Sequence, residues 1–122
     1  MLKTTIRFNK AQLGDASKEY IAVTILHEAV HAWIDHLFTN NVQNAMHHEM
    51  MANVERFNMM KNALKEMFPG LDEQDAIDLT WGGLGDTIAF TNLSYSDQQR
   101  IIQTNLNYKY RSAPGGKGTS CN

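Results

Sequence analysis

The segment TILHEAVHAWIDH, residues 24–36, contains the pattern His-Glu-x-x-His. His27 and His31 are four residues apart, so on a helix their side chains share one face, about 5–6 Å apart at Cβ. Two imidazoles placed in this way can bind one metal ion. At about 100° per residue, Glu28 lies at the edge of the same face, where its carboxylate can reach a metal-bound water without binding the metal. The pattern therefore predicts a zinc site with Glu28 as general base.

A core helix that happens to carry polar residues is the competing interpretation. The remaining residues of the segment are mostly apolar, among them Ile25, Leu26, Val30 and Trp33. Burying two histidines and a carboxylate among such side chains is costly unless these groups have partners. A bound metal ion would offset the cost of burying all three groups, and we therefore favour the zinc site.

A catalytic zinc site needs a third protein ligand and an open position. The short turn after Phe38 predicts that the next helix is an antiparallel neighbour of the first. Counting back from this turn at about 1.5 Å per residue places His48 near the level of His31. Spacing and facing favour His48 as the third ligand. The alternatives on the same helix are Glu55, Glu49 and His47.

Other polar residues near the motif are expected to play supporting roles. His36 projects from the opposite side of the helix from His27 and is a poor ligand candidate. Asp35 shares the histidine face but is better suited to a salt bridge or to supporting a ligand. His47 is expected to be a solvated residue near the start of its helix. Asp86 or Asp78 could orient a ligand histidine through the second ring nitrogen, as metal sites commonly require.

The pattern of apolar residues predicts four helices and little strand. TTIRF, residues 4–8, alternates as a half-buried strand does. The first helix is expected from about residue 16 to 38, with Asp15 or Ser17 as N-cap. The second is expected from roughly residue 45 to 68, ended by Pro69 and Gly70.

Two shorter helices are expected after these. The first of them lies in LDEQDAIDLTWGGLGD and ends at Gly82 and Gly83, a helix stop being a commoner role for such glycines than the wall of a cleft. TIAFTNL is ambiguous between strand and loop. The last helix begins with Ser96 and Gln99 as a capping box and continues to about Tyr110. The expected fold class is mainly α (α+β), with a long active-site helix, a second antiparallel helix, two shorter helices and one or a few short strands.

Length and composition are those of one ordinary globular domain. The 122 residues are 43% hydrophobic and 20% charged, with a net charge of -2, so a nucleic-acid partner is not expected. We expect a domain over residues 1–112 and a flexible, glycine-rich tail over residues 113–122. The only cysteine, Cys121, excludes an intrachain disulfide and a multi-cysteine zinc site.

The sequence contains no apolar run of about 18 residues that would span a membrane. Its first ten residues lack the apolar core of a signal peptide. No membrane partner is therefore expected. The location stays open between the cytoplasm and delivery as part of a larger protein.

With HEAVHAWIDH, then HHEMMA, then WGGLGDT, the sequence resembles the zincin metallopeptidases, and more closely the small SprT-like bacterial metallopeptidase domains. The resemblance extends from about Ile6 to Tyr110. It implies a compact zincin-like fold, zinc on His27, His31 and His48, and Glu28 as the catalytic base. It also implies a C-terminal domain of a larger exported or toxin-like protein. His48 is followed by Glu49 where the SprT-like pattern usually has glycine, which keeps a second-helix glutamate as an alternative ligand.

The function expected from these observations is that of a zinc-dependent hydrolase, specifically a metallopeptidase acting on a peptide or protein substrate. One alternative is a toxin or effector hydrolase that is neutralised by an immunity or inhibitor protein. The other is a zinc-stabilised binding module without catalytic turnover.

Overall fold

A computed structural model describes residues 13–38 and 44–121 of the chain. In these two stretches the chain forms six helices, in the order α1 (Lys18–Phe38), α2 (Asn44–Met51), α3 (Val54–Met67), α4 (Glu73–Trp81), α5 (Ile88–Thr91) and α6 (Tyr95–Lys109). The described residues contain no strand, and the strand predicted at residues 4–8 lies outside them. The mainly α class is confirmed for the described part. None of its helices is long and apolar enough to cross a membrane.

The helix α1 carries the His-Glu-x-x-His pattern, as predicted. Ser17 begins it: its hydroxyl oxygen accepts a hydrogen bond from the backbone N–H of Tyr20 at 3.0 Å, which satisfies one of the free donors of the first turn. Asp15, the other N-cap candidate, instead accepts a hydrogen bond from the backbone N–H of Ser112. The N-cap is therefore Ser17.

The single long second helix predicted for residues 45–68 is wrong, because the chain breaks it into α2 and α3. Asn53 lies between them with an extended backbone, and its side-chain oxygen accepts a hydrogen bond from the N–H of Glu55 at 3.1 Å. Asparagine is a preferred N-cap residue, and here it begins a new helix in a segment without Gly or Pro. Consequently, the helical phase that relates His48 to Glu55 does not continue across the break.

The second half of the chain agrees with the predictions at α4 and differs at α5 and α6. The helix α4 ends at Gly82, as predicted. TIAFTNL, which was ambiguous between strand and loop, contains the short helix α5. The N-cap of α6 is Ser94, whose hydroxyl oxygen accepts from the N–H of Asp97, so the predicted capping box of Ser96 and Gln99 is wrong.

Two adjoining groups of buried side chains form the core, and α1 contributes to both. Its own buried residues, Val23, Val30 and Ile34, recur at helical spacing. One group joins Val23 to residues of α3, α4 and α6, and the other joins Val30 and Ile34 to residues of α2, α3 and the loop after α4. At about 100° per residue the buried stripe and the two histidines occupy adjacent strips of α1. Packing of the stripe therefore fixes where the histidines point.

The C-terminal segment, expected to be a flexible tail, is hydrogen-bonded to the body of the domain. The N–H of Lys117 donates to the carbonyl of Asn107, and the N–H of Lys18 donates to the carbonyl of Thr119. The N–H of Thr119 in turn donates to the carboxylate of Glu19 at 2.8 Å. This segment thus satisfies polar groups at the start of α1, which the glycine-rich composition did not reveal.

Substitution of Leu64 tests this arrangement of the core. Its side chain is 0% exposed in the group around Val23, whereas Leu106 on α6 is 43% exposed. Leu64→Ala should lower the free energy of unfolding by about 2–5 kcal/mol, because it removes buried methyl groups and leaves a cavity. Leu106→Ala should cost clearly less. Urea denaturation followed by circular dichroism measures both, and equal losses would contradict the assignment.

Candidate metal centre

Three histidine side chains from two helices converge on one point. The Nε2 atom of His31 lies 3.2 Å from Nε2 of His27 and 3.1 Å from Nε2 of His48. The potential ligand atoms of these three residues all lie within 4.8 Å of one another. His27 and His31 come from successive turns of α1, and α2 brings His48 against them. The three predicted ligand positions are therefore brought together, and they form a cluster that could hold a metal ion.

Two of the three separations between the nitrogen atoms are close to what a small cation requires. Four ligands placed tetrahedrally at 2.0–2.1 Å from zinc lie about 3.3–3.4 Å from one another. The two Nε2 separations of 3.1 and 3.2 Å are close to that value. Without a cation, a single N–H on His31 could serve only one neighbour at a time, and the lone pair of the other neighbour would have no proton to accept. The arrangement of the three rings therefore favours a shared metal ion over hydrogen bonds between the rings.

The surroundings of His27 and His31 favour the uncharged imidazole, which is the form that binds metals. Burial, together with repulsion from His31 and His48, lowers the pKa of His27 to about 4. Burial also lowers the pKa of His31, although the nearby carboxylate of Glu28 opposes this. At neutral pH both rings are therefore ready to bind a cation without first losing a proton.

Asp86 supports the ligand from α2. Both of its carboxylate oxygens lie 2.9 Å from Nδ1 of His48, on the opposite side of the ring from the Nε2 atom in the cluster. A carboxylate accepting from one nitrogen fixes the proton there and leaves the other nitrogen free for the metal. Asp86 is one of the two aspartates predicted for this role. The other, Asp78, is buried elsewhere and binds Arg100 and Thr104.

The loop after α4 also touches the ligand from α1. Gly83 has a positive φ of 81°, and a Cβ atom at this position would lie 2.9 Å from Cε1 of His27. The two glycines after Trp81 therefore have different roles: Gly82 ends α4, and Gly83 lets the backbone approach the ring of His27.

The alternative third ligands lie away from the cluster or face a different partner. The carboxylate of Glu49 accepts a hydrogen bond from the N–H of Ile88 at 3.0 Å and so holds the start of α5. Glu55, in the first turn of α3, and His36, in the last turn of α1, are both exposed. None of these three belongs to the group of potential ligand atoms.

The prediction that His47 is solvated is wrong. Its side chain is 2% exposed, and its Nδ1 atom lies 2.8 Å from Nδ1 of His31. Its Nε2 atom lies 3.3 Å from the carboxylate of Asp35, which therefore lies beside the cluster without belonging to it. A signal was present in the sequence, because His31 and Asp35 are four residues apart and face the same neighbouring helix.

Glu28 lies beside His27 in an open cleft of about 190 Å³. Its side chain is exposed, and no hydrogen bond to it is found within residues 13–38 and 44–121. The opposite wall of the cleft comes from Gly82, Gly83 and Asn105. A carboxylate that is not engaged in holding the fold is thus available next to the histidine cluster.

No protein-family model matches the chain, and no curated protein and no solved structure shows significant similarity to it. The geometry of the histidine cluster is therefore the basis for the function proposed below.

Removing one ligand tests the cluster. His48→Ala should abolish stoichiometric zinc binding at micromolar protein concentration, because only two ligands would remain. His36→Ala, which removes an exposed histidine from the end of α1, serves as the matched control and should bind zinc as the wild type does. Isothermal titration with zinc gives both results. Undiminished binding by His48→Ala would exclude His48 as a ligand.

The close approach of Gly83 to His27 gives a second test. Gly83→Ala should weaken zinc binding by about tenfold or more, because the methyl group collides with the ring and the positive φ disfavours alanine. Gly85→Ala is the control, since a Cβ at Gly85 meets nothing within 4 Å. Competition with a chromophoric chelator measures the two affinities. Equal zinc affinity in the two variants would show that His27 does not need this space.

Proposed function

We propose that this protein is a zinc-dependent hydrolase, specifically a peptidase of the zincin type. One observation carries the proposal: three histidine Nε2 atoms converge beside an exposed glutamate that follows the first of them in the chain. His27, His31 and His48 would hold the metal ion, and Glu28 would move protons.

Zinc is the metal that this set of ligands favours. Imidazole nitrogens suit zinc, copper, nickel and iron, and a near-tetrahedral arrangement of such donors is typical of zinc. The two carboxylates behind the histidines, Asp86 on His48 and Asp35 near His47, provide negative charge that balances a divalent cation. When bound, zinc would lower the pKa of a coordinated water to about 7 and polarise a carbonyl group.

The number of ligands supports a catalytic role over a structural one. Structural zinc sites are usually closed by four protein ligands, whereas catalytic sites keep one position open. Only three potential ligands gather here among the described residues. The open position also argues against the zinc-stabilised binding module as the main function.

Glu28 is suited to the work of a general base. Its carboxylate is exposed in the cleft and is free of the hydrogen bonds that would hold it in a structural role within the described residues. Beside a bound substrate it can accept a proton from the attacking water and return it to the leaving amine. A glutamate one residue after a ligand is held near the metal by the same helical turn.

The substrate would lie along the cleft on the α6 side. A second cleft of about 240 Å³ adjoins the space beside Glu28, and the two share Tyr20, Gly82, Gly83 and Asn105 as lining residues. The far part is lined by apolar side chains, including Ile101, Ile102 and Leu106. Adjoining clefts of this kind can receive an extended segment of chain with a large apolar side chain.

The experiment that tests the proposal is Glu28→Gln. The variant should bind zinc with wild-type affinity, because Glu28 is not a ligand, and it should lose about a hundredfold or more of the turnover. Glu55→Gln, an exposed glutamate of α3, is the control and should keep full activity. Zinc-loaded proteins are assayed on denatured, fluorescein-labelled casein and on a random peptide library.

Two results would contradict the proposal. Wild-type protein that binds zinc but cleaves neither substrate would exclude a general peptidase. Glu28→Gln with undiminished turnover would exclude Glu28 as the base.

A further inference from the structure

His47 is buried next to the metal ligands but is not one of them. Its Nδ1 atom lies 2.8 Å from Nδ1 of His31, whose own Nε2 atom faces His27 and His48. Its Nε2 atom lies 3.3 Å from Oδ1 of Asp35, and this nitrogen has no hydrogen-bond partner in the described part of the chain. His31 is therefore held between the site and a second imidazole.

Only one proton can lie between the two Nδ1 atoms, and its owner decides whether His31 can bind a metal. If His31 carries the proton on Nδ1, its Nε2 atom has a free lone pair that points into the cluster. If His47 carries it, the proton of neutral His31 is on Nε2, where it blocks coordination. Both arrangements fit the 2.8 Å separation of the two Nδ1 atoms, but only the first leaves His31 able to bind a metal ion.

The carboxylate of Asp35 favours the first arrangement. A carboxylate accepts protons and attracts positive charge, so the proton of neutral His47 is more stable on Nε2, the atom that faces Asp35. Nδ1 of His47 is then an acceptor, and the proton between the rings belongs to His31. For His48 a carboxylate has this effect without an intervening ring, because Nδ1 of His48 contacts the carboxylate of Asp86 directly.

We propose that His47 is a positioning residue of the metal centre: with Asp35 behind it, it accepts a hydrogen bond from His31 and holds His31 in the metal-binding tautomer. The proposal rests on the metal centre of the proposed function and extends it to two residues that do not touch the metal. Because His47 is nearly inaccessible to water, solvent cannot replace the hydrogen bond that it accepts.

Two variants of His47 separate this role from simple packing. His47→Phe keeps a ring of similar size but cannot accept the hydrogen bond. His47→Asn is smaller, but its amide oxygen lies close to the position of Nδ1 and can accept. We expect zinc affinity to fall about 10–100-fold in His47→Phe and to recover most of that loss in His47→Asn. A packing role predicts the reverse order, because phenylalanine fills the buried volume and asparagine does not.

Zinc affinity is measured by chelator competition on full-length protein, with His36→Phe as the control for a histidine-to-phenylalanine change at an exposed site. Circular dichroism checks that each variant is folded. Affinity in His47→Phe equal to that of the wild type, or higher in His47→Phe than in His47→Asn, would overturn the proposal.

A measurement on the wild type needs no variant. In zinc-loaded, ¹⁵N-labelled protein, we expect a scalar coupling between the Nδ1 atoms of His31 and His47, with the proton covalently bonded to His31. A proton on Nδ1 of His47, or the absence of the coupling, would overturn the role of His47. Wild-type protein that takes up no zinc would overturn this role and the proposed function together. Zinc uptake without cleavage of any peptide would contradict the proposed peptidase activity but not the positioning role of His47.

Discussion

The convergence of three imidazole nitrogens is the constraint on which the site depends. Nitrogen lone pairs that face one another at 3.1–3.2 Å repel unless a proton or a cation lies between them. The fold accepts this arrangement because α1 is anchored by Val23, Val30 and Ile34 on the strip beside its histidines. A rigid helix therefore presents two donors, and a second helix adds the third. Packing in the core, together with the contacts of His48 with Asp86 and of His31 with His47, holds the three nitrogen atoms close to one another.

The environment of the site comes from segments that are distant in the chain. Residues 82–87 form a loop whose backbone approaches His27 at Gly83 and whose Asp86 supplies the carboxylate that holds His48. Four positions of the sequence WGGLGDT thus have separate roles: Gly82 ends a helix, Gly83 approaches a ring, Asp86 binds a histidine and Thr87 caps α5. One short loop therefore orients ligands from two different helices.

Local patterns in the sequence predicted the parts of this protein that depend on neighbours in the chain. The spacing of His27 and His31, the extent of α1 and the stop at Gly82 follow from helical periodicity and glycine, and the structure agrees with them. His48 was favoured by counting along two antiparallel helices, and it is brought to the cluster even though the second helix is broken after it. The break at Asn53 was missed because asparagine is tolerated inside helices as well as at their starts. The burial of His47 and the anchoring of residues 117–119 were missed because both depend on contacts between distant segments.

The helix α2 is only eight residues long, shorter than the roughly 12–15 residues at which an isolated helix becomes stable in water. Three consecutive residues attach it to three different places: His47 to α1, His48 to Asp86 and Glu49 to the start of α5. A cation shared by His48 and α1 would add a fourth attachment. Loss of the cation would accordingly loosen this one helix first, while α4 and α6 stay packed, and would expose the buried Met51. The loss of the cation would then be detectable as faster proteolysis and faster hydrogen exchange in α2 than in the other helices.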